Sequence, residues 1–261
     1  MVTLSRPDRD FRRIYHLARS RFYSYEKAPL FKADWSELVF HHFKVDPEAL
    51  QVNVPFDLDL FRGSAYCSLV GFKTSRMFVN RLGEWTRWMH HPISHHCFLN
   101  VRTYVKHRGE PGIYFIKEYV DSLPAIPAGR CIYGLPYVSA SVAFDHRLLW
   151  GKAKGAVATR SGESLRYQSN RTASAISRNC ECGSLDEFLV ERYSAFTCLS
   201  RKKRVFRILH EPWEFLDLDT DWLDTSLLEK DFPWFRTAKF AGSGWSAGAF
   251  DVKISRPRIL R

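Results

Sequence analysis

The stretch CFLNVRTYVKHRGEPGIYFIKEYV, residues 97–120, decides the fold class. Cys97 to Val105 and Ile113 to Val120 are rich in β-branched and aromatic residues, which suit a pleated, half-buried surface. Lys106 to Gly112 is polar and holds two glycines. The spacing predicts two antiparallel strands joined by a long turn. Strand side chains alternate between faces. Asn100, Arg102 and Tyr104 therefore share one face of the first strand, with Val101, Thr103 and Val105 on the other. On the second strand Ile113, Phe115, Lys117 and Tyr119 share a face, and Tyr114, Ile116 and Glu118 take the opposite one. Lys117 and Glu118 should then point apart, each toward solvent by default.

The flanking sequence extends the same pattern. Leu38 to Val45 is β-rich. Asp46-Pro47-Glu48-Ala49-Leu50 reads as a short helix, with Asp46 as cap and Pro47 at its first position. Leu58 and Leu60 lead to an Arg62-Gly63 turn, and Ala65 to Phe72 forms another strand. Downstream, Pro124 to Tyr133 reads as a short helix. Tyr137–Phe144, Leu148–Lys154, Gly155–Arg160 and Ser164–Gln168 read as short strands. Ser184 caps a helix that includes Glu187, the spacing of a capping box. Tyr193–Leu199 and Val205–His210 form a hairpin around a basic turn, and Phe250–Ile254 is the last strand. Many short strands, few helices and no βαβ rhythm imply a mainly β fold, a twisted antiparallel barrel or sandwich. Residues 31–261 read as one domain. Residues 1–30 read as a basic arm or helix, with Phe11, Ile14, Tyr15, Leu17 and Ala18 at helical spacing and Pro29 closing it.

The chain has 261 residues, 39 Lys+Arg against 28 Asp+Glu, and 15% aromatic residues, so most of it can build a packed core. No run approaches the roughly 18 apolar residues of a membrane helix, and no membrane partner is expected. Residues 1–10 lack a secretory signal, so the expectation is a cytoplasmic protein. The net charge of +11 raises nucleic-acid binding as a reading, with Arg201 to Arg207 and the N-terminal arginines as its footprint. An acidic stretch, Glu211 to Asp224, follows that cluster and weighs against it. The oligomeric state is open, and a homo-oligomer fits the sequence as well as a monomer.

No GxGxxG, Walker loop, GxSxG or HExxH occurs. Gly242-Ser243-Gly244 precedes Trp245 and not a helix, so it is no phosphate cradle. His90-His91 and His95-His96 read as a solvated loop around Pro92, since adjacent strand residues point apart and cannot chelate. The six cysteines form no CxxC pair and read as free thiols. No metal and no cofactor are expected.

Five motifs in order carry a resemblance. These are FHHFKVDPEAL at residues 40–50, NVRTYV at 100–105 followed by Gly109, Pro111 and Gly112, and GLPY at 134–137. FLVERY at 188–193 and HEPW at 210–213 complete the set. Over about residues 34 to 255 the chain resembles the YqjF-like family of uncharacterised conserved proteins. Phe43 stands where that family usually has Trp, and Ile116-Lys117-Glu118-Tyr119 where it tends to have Phe-Ser-Leu-Asp. The resemblance implies a fold similar to acetoacetate decarboxylase, a twisted β structure around a ligand cavity. That enzyme forms a Schiff base through a Lys whose pKa a neighbouring Lys depresses. Its Gly-x-Pro-Lys-Lys run is matched here by Gly109-Glu110-Pro111-Gly112-Ile113, which offers no amine. Schiff-base chemistry is therefore not expected.

The expected function is binding of a small organic acid or other metabolite in an internal cavity. The alternatives are a lyase acting on a β-keto or related acid and a polyanion binder. Arg102 is the leading ligand contact, because its planar fork suits a carboxylate. Asn100 and Tyr104 share its face. Lys117 is the nearby amine, and His42 is a group able to titrate near neutrality. Arg192 and Tyr193, after a helix end, read as structural, and Trp213 as core.

Overall fold

The computed structural model describes residues 11–83, 94–148 and 151–260. The expectations for residues 1–10, for His90, His91 and Pro92, and for Leu149 and Trp150 lie outside those residues. Strand accounts for 52% of the structure and helix for 21%, so the fold is mainly β.

The quoted stretch forms β4 (His96–His107) and β5 (Glu110–Val120). They pair antiparallel from Phe98↔Val120 to His107↔Glu110. The long turn expected there is instead a two-residue turn. Arg108 and Gly109 sit at φ 51 and 77, and this double left-handed conformation matches the twist of a tight hairpin. Lys106, His107, Glu110 and Pro111 are thus strand residues. Ser200 and Arg201 repeat the device at φ 50 and 62 between β10 (Ser194–Leu199) and β11 (Lys202–Leu209), which absorbs the basic turn into a strand.

Two long strands continue from β4. β3 (Ala65–Val79) pairs with it, and β1 (Phe31–Val45) pairs with β3. β13 (Lys239–Ile254) then pairs with β1 and, through Ile208↔Ile254 and Leu209↔Lys253, with β11. β11 pairs with β10, and β10 pairs parallel with β5, so seven strands form a closed ring. Gly242-Ser243-Gly244 lies inside β13 and not in a loop. From β13 the sheet continues through β12 (Leu216–Asp224), β9 (Ser164–Arg171), β8 (Lys152–Ala158) and β7 (Ser141–Asp145). Short β2 (Asp57–Leu58), β6 (Tyr137–Ser139) and β14 (Arg258–Ile259) complete it, pairing with β4, β5 and β11.

Alternation sorts the ring's side chains into two cores. Leu38, Phe40, Val70, Phe72, Phe98, Ile113, Phe115, Phe206, Ile208 and Ile254 pack inward. Val39, Phe43, Leu69, Val101, Tyr114, Phe196 and Val205 pack outward in a second cluster, where Tyr114 and Phe196 meet Phe56. The helices behave as their caps suggest. α2 (Pro47–Gln51) starts at Asp46, whose carboxylate accepts from the Glu48 amide. α3 (Ala125–Tyr133) closes one end of the inner space. In α4 (Leu185–Val190), Ser184 Oγ accepts from the Glu187 amide at 3.1 Å and Glu187 accepts from the Gly183 amide at 2.7 Å. α5 (Ser226–Asp231) follows β12. α1 (Phe11–Tyr25) buries Tyr15 and Phe22 against Tyr193 and Leu209. None of the described helices is long and apolar enough to cross a membrane.

Candidate functional site

Inside the ring lies a cavity of about 130 Å³. Its walls are mostly apolar: Trp35, Phe40, Phe72, Phe98, Phe115, Phe206 and Trp213 supply much of the surface. Such a wall makes every polar group that faces it informative, because an unpaired buried polar atom is costly.

Arg102 lines the cavity from the middle of β4, together with Asn100. One guanidinium nitrogen of Arg102 donates to the Leu189 carbonyl at 3.0 Å, near the end of α4. Its Nε has no partner, and no carboxylate lies within ion-pair distance among the described residues. The arginine, which lines the cavity, is thus anchored by a helix-end carbonyl and keeps donor capacity that the described residues do not use. The Leu189 carbonyl also accepts from Tyr104 Oη at 2.8 Å. Tyr104 in turn accepts from Ser68 Oγ at 2.6 Å. Ser68 has one proton, so it accepts from His42 Nδ1, 2.7 Å away. This chain fixes the His42 tautomer and leaves Nε2 without a partner among the described residues. Burial, and secondarily the Arg102 charge, hold His42 neutral down to about 3. Tyr104 and His42 do not line the cavity; they form the rigid bracket behind Arg102.

Lys117 is not in the cavity. Val101 pairs with Lys117 and Arg102 with Phe115, so Ile116 is an extra residue on β5. This β-bulge shifts the alternation by one from that point. Lys117 therefore faces outward, ion-paired with Asp231, which also accepts from Tyr119. Glu118 turns inward instead, only 3% exposed, and lines the cavity opposite Asn100. The expectation that Glu118 faces away is corrected by the same bulge. Burial alone drives the Glu118 carboxyl well above its usual range. Its Oε2 and Asn100 Oδ1 have no partner among the described residues. Glu118 departs from the family pattern in its run, and its charge within Ile113–Val120 was the available signal; the bulge itself had none.

His210 lies between Tyr193 and Trp213, at ring distances of 4.8 and 4.1 Å. Its Nδ1 donates to the Glu211 carbonyl at 2.7 Å, and burial keeps the ring neutral down to about 4. Arg192 takes the structural helix-end role expected of it, its Nε donating to the Phe188 carbonyl at 2.7 Å; it also donates to Asp59 at 2.8 Å and stacks 4.1 Å over the Phe188 ring. Gly112 points away from the cavity toward Ser194 and Phe196, whereas Ile113 lines it. No lysine lines the cavity among the described residues. No cluster of metal-ligating side chains occurs among them either, and the described cysteines are free.

Residues 32–237 match the DUF2071 model, described as an uncharacterized conserved protein. A curated relative, the uncharacterized protein YqjF of Bacillus subtilis (strain 168), is 30% identical over 188 residues, covering 70% of this chain and 74% of the relative. Solved structures share the fold. Acetoacetate decarboxylase from Legionella pneumophila has a TM-score of 0.62 at 12% identity, with 90% of this chain and 88% of that one covered. The enduracididine biosynthesis enzyme MppR, solved with pyruvate, has a TM-score of 0.63 at 15% identity, covering 90% and 91%. At these identities the likeness shows the acetoacetate-decarboxylase-like fold alone. By the extent of the family match and of the YqjF relative, the chain belongs to the DUF2071 family.

Proposed function

We propose that the cavity binds a small organic acid, whose carboxylate meets Arg102. The observation that carries this is a guanidinium that lines an apolar cavity, is anchored at one nitrogen and, among the described residues, has no partner at Nε and no carboxylate within ion-pair distance. The guanidinium is only partly buried, with donor capacity that the protein leaves unused, and a ligand carboxylate supplies both the acceptor and the opposite charge. At about 130 Å³ the cavity is close to one that takes up benzene, which limits the ligand to roughly six or seven heavy atoms. Pyruvate bound to MppR, on the same fold, is a ligand of this size and charge.

The absence of a cavity lysine among the described residues favours binding over Schiff-base decarboxylation. The basic cluster supports the solubility reading over polyanion binding: Arg207 is committed to Glu110 and Lys203 lies over Phe56. Thermal unfolding in the presence of C2 to C5 monocarboxylates tests the proposal. Stabilisation that rises with concentration is expected for at least one of them. No stabilisation by any acid of that size contradicts it.

A further inference from the structure

Two ends of the cavity carry opposite demands. At one end Arg102 Nε is a donor without an acceptor among the described residues. At the other, Asn100 Oδ1 and Glu118 Oε2 have no donor among them, on side chains 6% and 3% exposed. Glu118 and Asn100 are cross-strand partners on the β4–β5 ladder, so their side chains stand side by side on the cavity face. No Lys or Arg pairs with Glu118 among the described residues.

We propose that the cavity's ligand is a short-chain amino acid, held by Arg102 at its carboxylate and by Glu118 with Asn100 at its ammonium group. This deepens the organic-acid reading and rests on it. An ammonium brings three donors, which suit two adjacent acceptors better than a carbonyl does. Aromatic faces stand beside them: Phe98 packs 5.6 Å from Tyr137 and 5.1 Å from Phe72, and all three line the cavity. Such rings attract a desolvated cation. Tyr137 pairs with Glu118 in the sheet, which keeps the ring next to the carboxyl. The ligand's ammonium favours the ionised carboxylate, so binding releases the Glu118 proton to solvent, and in the complex the ligand's two charges meet two opposite wall charges that do not touch each other. Asn100 and Arg102 are two residues apart on one strand, about 7 Å at the backbone. That span points to the ammonium and carboxylate lying at opposite ends of a short chain.

Calorimetric titration of the full chain with β-alanine, γ-aminobutyrate and 5-aminovalerate, against butyrate, butylamine and acetoacetate, tests this. One of the three amino acids should bind at least about tenfold tighter than butyrate, the worth of one charge-assisted contact. In Glu118→Gln that advantage should vanish while butyrate affinity stays. In Arg102→Met both should weaken. Butyrate binding as tightly as every amino acid overturns the zwitterion assignment and leaves the carboxylate site standing. Acetoacetate binding best, with the amino acids weak, also overturns it, by making Glu118 a donor to a carbonyl. Failure of all six compounds on the wild-type chain contradicts both readings.

Discussion

Glu118 stands directly across the β4–β5 ladder from Asn100, and both side chains face the same apolar cavity. The carboxyl is there because Ile116 bulges out of β5 and shifts the strand's alternation. In the folded protein burial raises its pKa well above 4.5, so it stays protonated where the unfolded chain has lost that proton. Its contribution to stability is therefore fully present below the unfolded pKa and falls as pH rises toward the folded value. Glu118→Gln removes that penalty. The stability of the variant relative to wild type should rise with pH above the unfolded carboxyl's range, until the folded pKa is reached. Urea midpoints at pH 5, 6 and 7 read this directly. A constant difference across that range contradicts a protonated Glu118.

His146 works with the opposite sign. Nδ1 donates to the Glu37 carbonyl at 2.8 Å, so Nε2 accepts from Tyr167 Oη at 2.7 Å. Burial is the main cause that lowers its pKa to about 4. The unfolded ring takes up a proton near pH 6.5, and the stability it gives is lost as pH falls from there to about 4. His146→Gln should cost about 1 to 2 kcal/mol at pH 7 through lost hydrogen bonds. It should also remove about one proton from the uptake on acid unfolding, measured by the pH dependence of the urea midpoint. Unchanged proton uptake contradicts this assignment.

Asp59 joins Arg192 at 2.8 Å and Lys106 at 2.7 Å, and both Asp59 and Arg192 are buried. Asp59→Asn leaves the Arg192 guanidinium without its anion, although Phe188 still stacks on it. Removing one member of a buried pair typically costs about 3 to 5 kcal/mol. The exposed Lys106 end of the network should soften this toward the lower figure. Chemical denaturation measures it, and a loss below 1 kcal/mol would show that the pair is solvated.

Schiff-base chemistry should be absent. With Gly112 and Ile113 where the decarboxylase has lysines, and no cavity lysine among the described residues, incubation with acetoacetate and borohydride should leave the intact mass unchanged. A stable adduct mapped to Lys117 contradicts the placement of that amine beside Asp231. Gly112 itself cannot take a side chain without movement: a Cβ there would lie 2.5 Å from the Ser194 carbonyl and 2.6 Å from the Phe196 ring. Gly112→Ala should thus lower the melting temperature, while Ile113, which faces the cavity, is the position that could admit an engineered amine.

Period-two alternation was enough to put Asn100 and Arg102 on one face, and the fold class followed from strand density. Caps at Asp46 and Ser184 were readable because their chemistry is local. The turns at Arg108-Gly109 and Ser200-Arg201 are tighter than their sequence implies, because arginine and serine do not advertise left-handed backbone. The bulge at Ile116 left no trace in residue type, so one displaced residue exchanged the places of Lys117 and Glu118. His42 and Tyr104 were readable as polar strand residues, but their bracket behind Arg102 depends on the Leu189 carbonyl, 85 positions from Tyr104. Contacts of that range are set by the closed ring and not by neighbours in sequence.

Trp35 and Trp213 both line the cavity, with rings stacked 6.5 Å apart, and so report its occupancy. The most direct measurement is tryptophan emission during titration with butyrate and, separately, with the neutral butyramide, in the wild type and in Arg102→Met. A saturable change is predicted for butyrate in the wild type, with none for butyramide and none for butyrate in Arg102→Met. The apo stability of Arg102→Met should change little or rise, since no carboxylate among the described residues loses a partner. An equal response to butyramide, or an undiminished butyrate response in Arg102→Met, would contradict a cavity that recognises a carboxylate through Arg102.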